Sequence, residues 1–249
     1  METYKRHDRS DIAIHWFNAA CWLLLFVTGV GLLDNPRLNP LGAWYPALLR
    51  GLFGGGGNLL AVHVALGFIW IAGFAAYLLV NRAGARAFLA ETFRVSPKRD
   101  LPWMFKKMVL MTLGEKGLAP FKVSPELPPQ GFYNMGQKAF GQASVLGGVV
   151  LAVTGVVMFL SDKLFSAQLT WLVSWSVTVH YLAAGLVFAG LLVHVYMAAI
   201  SPEERLGFRS MFTGVVPVTY AKHHHRLWYE TVSTETGGAN VDTREERQH

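Results

Sequence analysis

Four long stretches of the chain are apolar and contain no Asp, Glu, Lys or Arg, and polar segments separate them. They cover residues 12–33, 59–80, 139–160 and 172–200. A helix rises about 1.5 Å per residue, so even the shortest stretch is long enough for a hydrocarbon core of about 30 Å. The pattern predicts an all-α protein, an integral membrane four-helix bundle.

The domain organisation follows from these spans. We expect one four-helix transmembrane domain over residues 1–230 and a polar C-terminal tail over residues 231–249, disordered from Gly237 onward. Residues 101–113 combine an apolar face with two lysines, and Trp103 near their start is a typical membrane anchor. This segment predicts a helix that lies along the cytoplasmic interface.

Lysine and arginine are distributed unevenly among the connections. Only three of the 22 lysines and arginines lie between the first and second or the third and fourth spans, namely Arg37, Arg50 and Lys163. Positive residues favour the cytoplasmic side. We therefore expect both termini to be cytoplasmic, in the inner membrane of a bacterial cell. The net charge of +6 has the same origin, so it does not indicate a nucleic-acid partner.

Composition agrees with a membrane protein and excludes some cofactors. Hydrophobic residues make up 52% of the chain and charged residues only 15%, against about 25% charged in soluble domains. The single cysteine, Cys21, can form neither an intrachain disulfide nor a cysteine-ligated iron–sulfur cluster in this chain alone.

Four histidines lie within the apolar stretches. The predicted topology places His63 and His180 near the periplasmic surface and His15 and His194 near the cytoplasmic surface. His180 and His194 are 14 residues apart, so they return to within about 40° of one helix face and stand about 21 Å apart. The histidines therefore form two pairs at two depths.

Two histidine pairs at two depths predict two stacked haem groups. Two neutral imidazoles saturate a haem iron, which suits electron transfer rather than oxygen binding. Gly67 and Gly185 follow two of the histidines and allow a flat macrocycle to approach the helices. For any one histidine, a hydrogen bond to a neighbouring helix is the alternative. Haem iron ligation is predicted for His15, His63, His180 and His194.

The run His223-His224-His225 superficially suggests a metal site. Adjacent residues of an exposed segment do not all face one ion. We interpret the run as a solvated basic segment near lipid headgroups.

Several segments together resemble one known family. The chain is similar to the gamma subunit of respiratory formate dehydrogenase, a di-haem cytochrome b of a wider bacterial group. The Tyr-Asn-x-Gly-Gln-Lys element and the four histidines are the most specific part. The similar segments are His15-Trp16, Leu60–His63, Asp100–Trp103, Tyr133–Lys138, Val153–Val156, His180–Tyr196 and Ala221–His224.

The resemblance implies partners and a second site. An iron–sulfur beta subunit would take electrons from a molybdenum or tungsten alpha subunit and deliver them to two haem b groups, and menaquinone or ubiquinone would accept them. The family's quinone pocket maps to Asn134, Gly136 and Gln137 with His194. The family often has alanine where Met135 stands. A helix-capping turn is the alternative interpretation of this motif.

These observations define the function we expect. The chain is predicted to be the quinone-reducing electron-transfer subunit of an oxidoreductase complex, with no dehydrogenase site and no catalytic residue of its own. A hydrogenase or a sulfur-compound reductase is the alternative complex. A proton or metal transporter is an alternative of another class, against which stands the lack of acidic residues within the spans.

Overall fold

The apolar stretches fold as helices, and polar residues extend each of them. The computed structural model describes residues 2–164 and 169–245, which are mostly helical. In chain order the helices are α1 (Arg9–Leu32), α2 (Trp44–Leu52), α3 (Gly56–Val80), α4 (Arg82–Phe93), α5 (Pro97–Leu113), α6 (Met135–Leu164), α7 (Thr170–Val195), α8 (Arg205–Thr213), α9 (Val218–His224) and α10 (Arg226–Glu245).

Four of these helices are long and apolar enough to cross a membrane. They are α1, α3, the first 27 residues of α6, and α7 together with the π-helical turn Tyr196–Ile200 that continues it. Their outer faces carry large exposed apolar side chains, such as Leu186 with 75% of its surface accessible. Such faces suit lipid rather than water. The four predicted spans are confirmed.

The chain forms two compact units. We call the first the membrane unit, which comprises Arg9–Ala85 and Ala143–Val193. We call the second the connection unit, which comprises Met1–Asp8, Arg86–Gln142 and His194–His249.

In the membrane unit, α1 and α3 pack closely. A side chain at position 73 would collide with the Phe17 ring, so only glycine fits at this contact. The Trp70 indole donates a hydrogen bond of 2.8 Å to the Asn18 side chain, and the Tyr77 hydroxyl donates one of 2.9 Å to Asp11. Polar groups on these apolar helices therefore satisfy one another, as a water-free environment requires.

The other two long helices join the same bundle. Phe68 on α3 meets Phe159 on α6 with ring centroids 5.1 Å apart, and Gly147 on α6 packs against Val187 on α7. Small residues at such contacts let helix backbones approach each other. The membrane unit is therefore a four-helix bundle.

In the connection unit, two short strands pair near the N-terminus. Strand β1 (Thr3–Lys5) runs antiparallel to β2 (Val215–Pro217), with Tyr4 opposite Val216. Val216 is fully buried and packs with Tyr220 and Ala221. The strands are the only part that departs from an all-α fold among the described residues, and the sequence patterns did not predict them.

Three further segments refine the expectations. The connection between α1 and α3 contains a further helix, α2, which the apolar pattern did not predict. A helix covers residues 101–113 as expected but begins earlier, at Pro97, while its position at the interface stays a prediction. The C-terminal segment that we expected to be disordered is helical through Glu245, and residues 246–249 lie outside the described part.

Candidate functional site

Two of the four predicted ligand histidines meet in the membrane unit. His63 lies on α3 and His180 on α7. Their ring centroids are 6.4 Å apart and the ring planes are inclined by 72°. Two imidazoles that bind one metal ion from opposite sides, with metal–nitrogen bonds of about 2 Å, have centroids about 6 Å apart. The observed separation therefore fits one metal centre between the rings.

Each of these histidines also contacts a threonine that the sequence analysis did not single out. The Thr28 hydroxyl lies 2.9 Å from Nδ1 of His63, and the Thr154 hydroxyl lies 2.8 Å from Nδ1 of His180. A signal was present in the sequence, because the tetrapeptide Val-Thr-Gly-Val occurs at residues 27–30 and again at 153–156.

The two glycines predicted to admit a macrocycle are open on their side-chain face. Apart from the chain neighbours and the backbone of the same helix, no atom of the described residues lies within 4 Å of a Cβ placed on Gly67 or on Gly185. A flat group bound between His63 and His180 would therefore meet no side chain at these two positions. The residues present fit a bis-imidazole haem.

The other two predicted ligands lie in different units. His15 is half-buried on α1 in the membrane unit and contacts the Trp16 ring edge-on at 5.3 Å. His194 belongs to the connection unit and stacks on Phe140, with centroids 4.2 Å apart and planes inclined by 10°. Their pairing stays a prediction.

The Tyr-Asn-x-Gly-Gln-Lys motif forms the start of α6. The backbone N–H of Gln137 donates to Oδ1 of Asn134 at 2.9 Å, and the backbone N–H of Asn134 donates to Oε1 of Gln137 at 3.1 Å. This reciprocal arrangement is a capping box. It engages one lone pair of each side-chain oxygen and orients both amides, so that each side chain can offer its NH₂ donor to a ligand.

A buried ion pair holds this motif against α5. Nζ of Lys138 donates to Oδ2 of Asp100 at 2.9 Å and to the Arg94 carbonyl at 2.8 Å. Asp100 is fully buried. Burial alone would raise the pKa of Asp100, but hydrogen bonds from the Ser96 backbone, Lys138 and Arg99 lower it below its usual value. The Asp100 carboxylate therefore stays ionised.

The same ion pair brings two predicted motifs together. A Cβ on Gly136 would lie 3.7 Å from the Trp103 ring and 3.3 Å from Oδ1 of Asn134. Gly136 and Phe140 are four residues apart, on one face of α6. Because Phe140 stacks on His194, this histidine lies beside the helical turn that follows the Asn134–Gln137 motif.

His225 corrects the interpretation of the His223–His225 run. It is fully buried rather than solvated. Its Nδ1 donates to the Gly131 carbonyl at 2.8 Å, and its Nε2 accepts from Arg6 at 3.1 Å. Burial and the neighbouring Arg6 charge lower the pKa of His225 to about 3, so the ring is neutral. The run contributes to the packing of the connection unit.

Glu204 organises a second polar cluster nearby in the connection unit. The Tyr220 hydroxyl donates to Oε2 of Glu204 at 2.6 Å, and Nδ1 of His224 lies 3.6 Å from Oε1. Burial alone would raise the pKa of Glu204, but the contacts with His224 and Tyr220 lower it to about 2. Among the described residues, no three His, Cys, Asp or Glu side chains are grouped so as to hold a metal ion.

Comparison with known families defines the class of protein. The sequence profile of the family described as prokaryotic cytochrome b561 matches residues 6–214. The chain belongs to this family. With its four apolar helices it is a multi-pass membrane protein of a cytochrome b family, and such membership implies haem b.

The relatives give a more particular likeness. The chain is 27% identical over 226 residues to the formate dehydrogenase cytochrome b556 subunit of Haemophilus influenzae, covering 90% of this chain and 81% of the relative. It is 24% identical over 235 residues to the formate dehydrogenase cytochrome b556(fdo) subunit of Escherichia coli K12, covering 94% and 96%. The nitrate-inducible cytochrome b556(Fdn) subunit of that strain is 25% identical over 229 residues, covering 89% and 88%. The predicted resemblance is confirmed.

Proposed function

We propose that this chain is the cytochrome b subunit of a formate dehydrogenase complex. It passes electrons from an iron–sulfur subunit, itself supplied by a molybdenum or tungsten subunit, to menaquinone or ubiquinone. Its likeness to formate dehydrogenase cytochrome b556 subunits supports this complex over a hydrogenase or a sulfur-compound reductase. Family membership supports electron transfer over transport. The lysine and arginine distribution supports the bacterial inner membrane with both termini cytoplasmic.

The approach of His63 and His180 carries the proposal. Their rings stand at a separation that suits one iron, and a threonine on a neighbouring helix contacts Nδ1 of each ring. His63 and His180 would hold one haem b, and His15 and His194 the other. When bound, such haems supply reversible one-electron chemistry at two depths of the membrane.

The quinone site would lie at the start of α6. The capping box fixes Asn134 and Gln137 with their oxygens turned to the backbone, which leaves the NH₂ groups as donors for a quinone carbonyl. Because Gly136 has no side chain, a ligand can approach the α6 backbone beside the Trp103 ring. The stacked Phe140 and His194 connect this site to a predicted haem ligand.

A redox difference spectrum of the purified complex, with haem quantitation, tests the haem assignment. We expect two low-spin b-type haems per chain. Replacing His63 or His180 with alanine should remove one, and replacing His15 or His194 should remove the other. The matched control is His223→Ala, which changes an exposed histidine outside the spans. An assembled complex without haem would contradict the proposal and favour the transporter alternative.

Steady-state quinone reduction tests the second site and separates quinone binding from capping. Asn134→Asp and Gln137→Glu keep the capping oxygens but remove the NH₂ donors. Each should raise KM for quinone about 10-fold, the size of one lost hydrogen bond, while thermal stability changes little. Gln142→Glu is the control, because the Gln142 amide donates to the Thr92 carbonyl instead. An unchanged KM in both variants would reduce the motif to a helix cap.

A further inference from the structure

The two threonines beside His63 and His180 belong to a repeated unit. Val27-Thr28-Gly29-Val30 lies on α1 and Val153-Thr154-Gly155-Val156 lies on α6. Each tetrapeptide faces a histidine on a different helix of the membrane unit. Each of the two histidines that approach each other thus contacts the threonine of the same tetrapeptide.

Each threonine hydroxyl has a defined donor direction. Thr28 donates to the Leu24 carbonyl at 2.8 Å, and Thr154 donates to the Val150 carbonyl at 2.7 Å. A hydroxyl carries one hydrogen and two lone pairs. Once its hydrogen is committed to the carbonyl, the oxygen can only accept from the imidazole.

This commitment fixes the form of each histidine. Nδ1 of His63 and Nδ1 of His180 must carry the hydrogen that the threonine oxygen accepts. In a neutral imidazole, the other nitrogen, Nε2, then keeps its lone pair. Both rings are therefore prepared as metal ligands through Nε2.

The glycine of each unit makes the contact possible. A Cβ on Gly29 would lie 3.3 Å from Cε1 of His63, closer than side chains normally approach. A Cβ on Gly155 would lie 3.6 Å from Cε1 of His180, at ordinary contact distance. A residue with a side chain at position 29 would push the ring away from the hydroxyl.

We propose that Thr28 and Thr154 are matched positioning residues for one haem. They hold His63 and His180 in the Nδ1-protonated form and fix the ring orientations. A hydrogen bond accepted from Nδ1–H makes the imidazole a more basic ligand. A more basic ligand stabilises ferric iron over ferrous iron, so both contacts lower the reduction potential of this haem. The inference rests on the proposed assignment of His63 and His180 as haem ligands.

Redox titration of the haem absorbance in the intact complex tests this inference. Thr28→Val and Thr154→Val remove only the hydroxyl from a side chain of nearly constant shape. Each should raise the midpoint potential of one of the two haems and weaken its retention by about 10–100-fold. Thr28→Ser and Thr154→Ser keep the hydroxyl and should restore the wild-type potential, an effect that packing alone would not produce.

Two further variants complete the design. Thr178→Val is the matched control, because Thr178 donates to the Ser174 carbonyl in the same way but is exposed. Gly29→Ala keeps the threonine and displaces the ring, so it should shift the same haem as Thr28→Val. This variant also tests the inference if a valine variant fails to assemble.

The outcomes separate the inference from the proposed function. Wild-type protein without haem would contradict the proposed function itself. Two haems with unchanged potentials in both valine variants would overturn the role of the threonines while leaving the proposed function intact. A serine variant that behaves like the valine variant would also overturn it.

Discussion

The two units bury polar side chains in opposite ways. In the membrane unit, neutral hydroxyls meet neutral imidazoles, as at Thr28–His63 and Thr154–His180. In the connection unit, full charges are buried, as at Asp100–Lys138 and Arg6. A charge within lipid costs several kcal/mol, whereas a neutral pair that satisfies its own hydrogen bonds costs much less. The contrast shows how surroundings select the kind of polar contact.

The buried charges of the connection unit should give the largest effect on stability. Lys138→Met leaves Asp100 fully buried with Arg99 as its remaining cationic partner. We expect a loss of about 3–5 kcal/mol in the free energy of unfolding, because the buried carboxylate loses its one buried cationic partner. Thermal unfolding of the purified protein measures it.

The double variant Asp100→Leu/Lys138→Met sharpens this prediction. It removes both charges, so it should recover most of the lost stability. A double variant as unstable as the single one would show that packing rather than charge explains the loss.

Acidification should destabilise the connection unit next most strongly. His225 is neutral in the folded state with its pKa lowered to about 3, whereas an unfolded histidine titrates near 6.5. Between pH 6.5 and pH 3, the histidine is therefore protonated in the unfolded state but not in the folded state. Stability should therefore fall as pH falls, by about 1.4 kcal/mol for each pH unit.

The lowered pKa of Glu204 adds a further loss of stability as pH falls. Its stabilising contribution is present above pH 4.5 and disappears as pH falls towards 2. Hydrogen exchange of the connection unit between pH 7 and pH 4 measures the dependence. His225→Asn keeps a donor for the Gly131 carbonyl but does not titrate, so its profile should be flatter above pH 4.5. An equally steep profile would refute the role of His225.

Packing in the membrane unit should give a smaller effect. Gly73→Ala places a methyl group against the Phe17 ring on α1. We expect a destabilisation of about 1–3 kcal/mol, measured as a lower Tm in detergent. Gly57→Ala, on the same helix with open space around it, is the control. It should be neutral or slightly stabilising, because alanine has the higher helix propensity. A similar loss in both variants would show that the contact with Phe17 does not explain the effect.

An exposed ion pair should give the smallest effect. Arg226 donates to Glu230 at 2.9 Å, with more than half of each side chain exposed. Glu230→Gln should change the free energy of unfolding by no more than about 0.5 kcal/mol. Screening of this ion pair by high salt should change the free energy of unfolding of the wild-type protein equally little. A loss comparable to that of Lys138→Met would remove the distinction between buried and exposed pairs.

Much of the membrane unit could be predicted because hydrophobicity is a local property. The four spans begin two to four residues earlier than the apolar stretches, since polar residues such as Arg9 on α1 and Gln137 on α6 extend the first turn. Depth along a span also follows from position. Equal depth was enough to associate His63 with His180, whose rings the structure brings together.

The candidate sites were only partly predictable. The Asn134–Gln137 motif suggested both a quinone contact and a helix cap, and the structure contains the cap. Thr28 and Thr154 were missed because a threonine in an apolar helix usually bonds only to its own backbone. The repeated tetrapeptide Val-Thr-Gly-Val contains both threonines, but the neighbouring sequence does not indicate which side chain each threonine contacts.

The sequence by itself determined the four spans to within a few residues at each end and the presence of four histidines within them, because these depend on composition along a short segment. Only the tertiary structure decided which polar groups meet. The contact between Arg6 and His225 joins residues 219 positions apart, and that between Thr28 and His63 joins two helices. Such contacts depend on how helices pack, and packing is set by the whole chain.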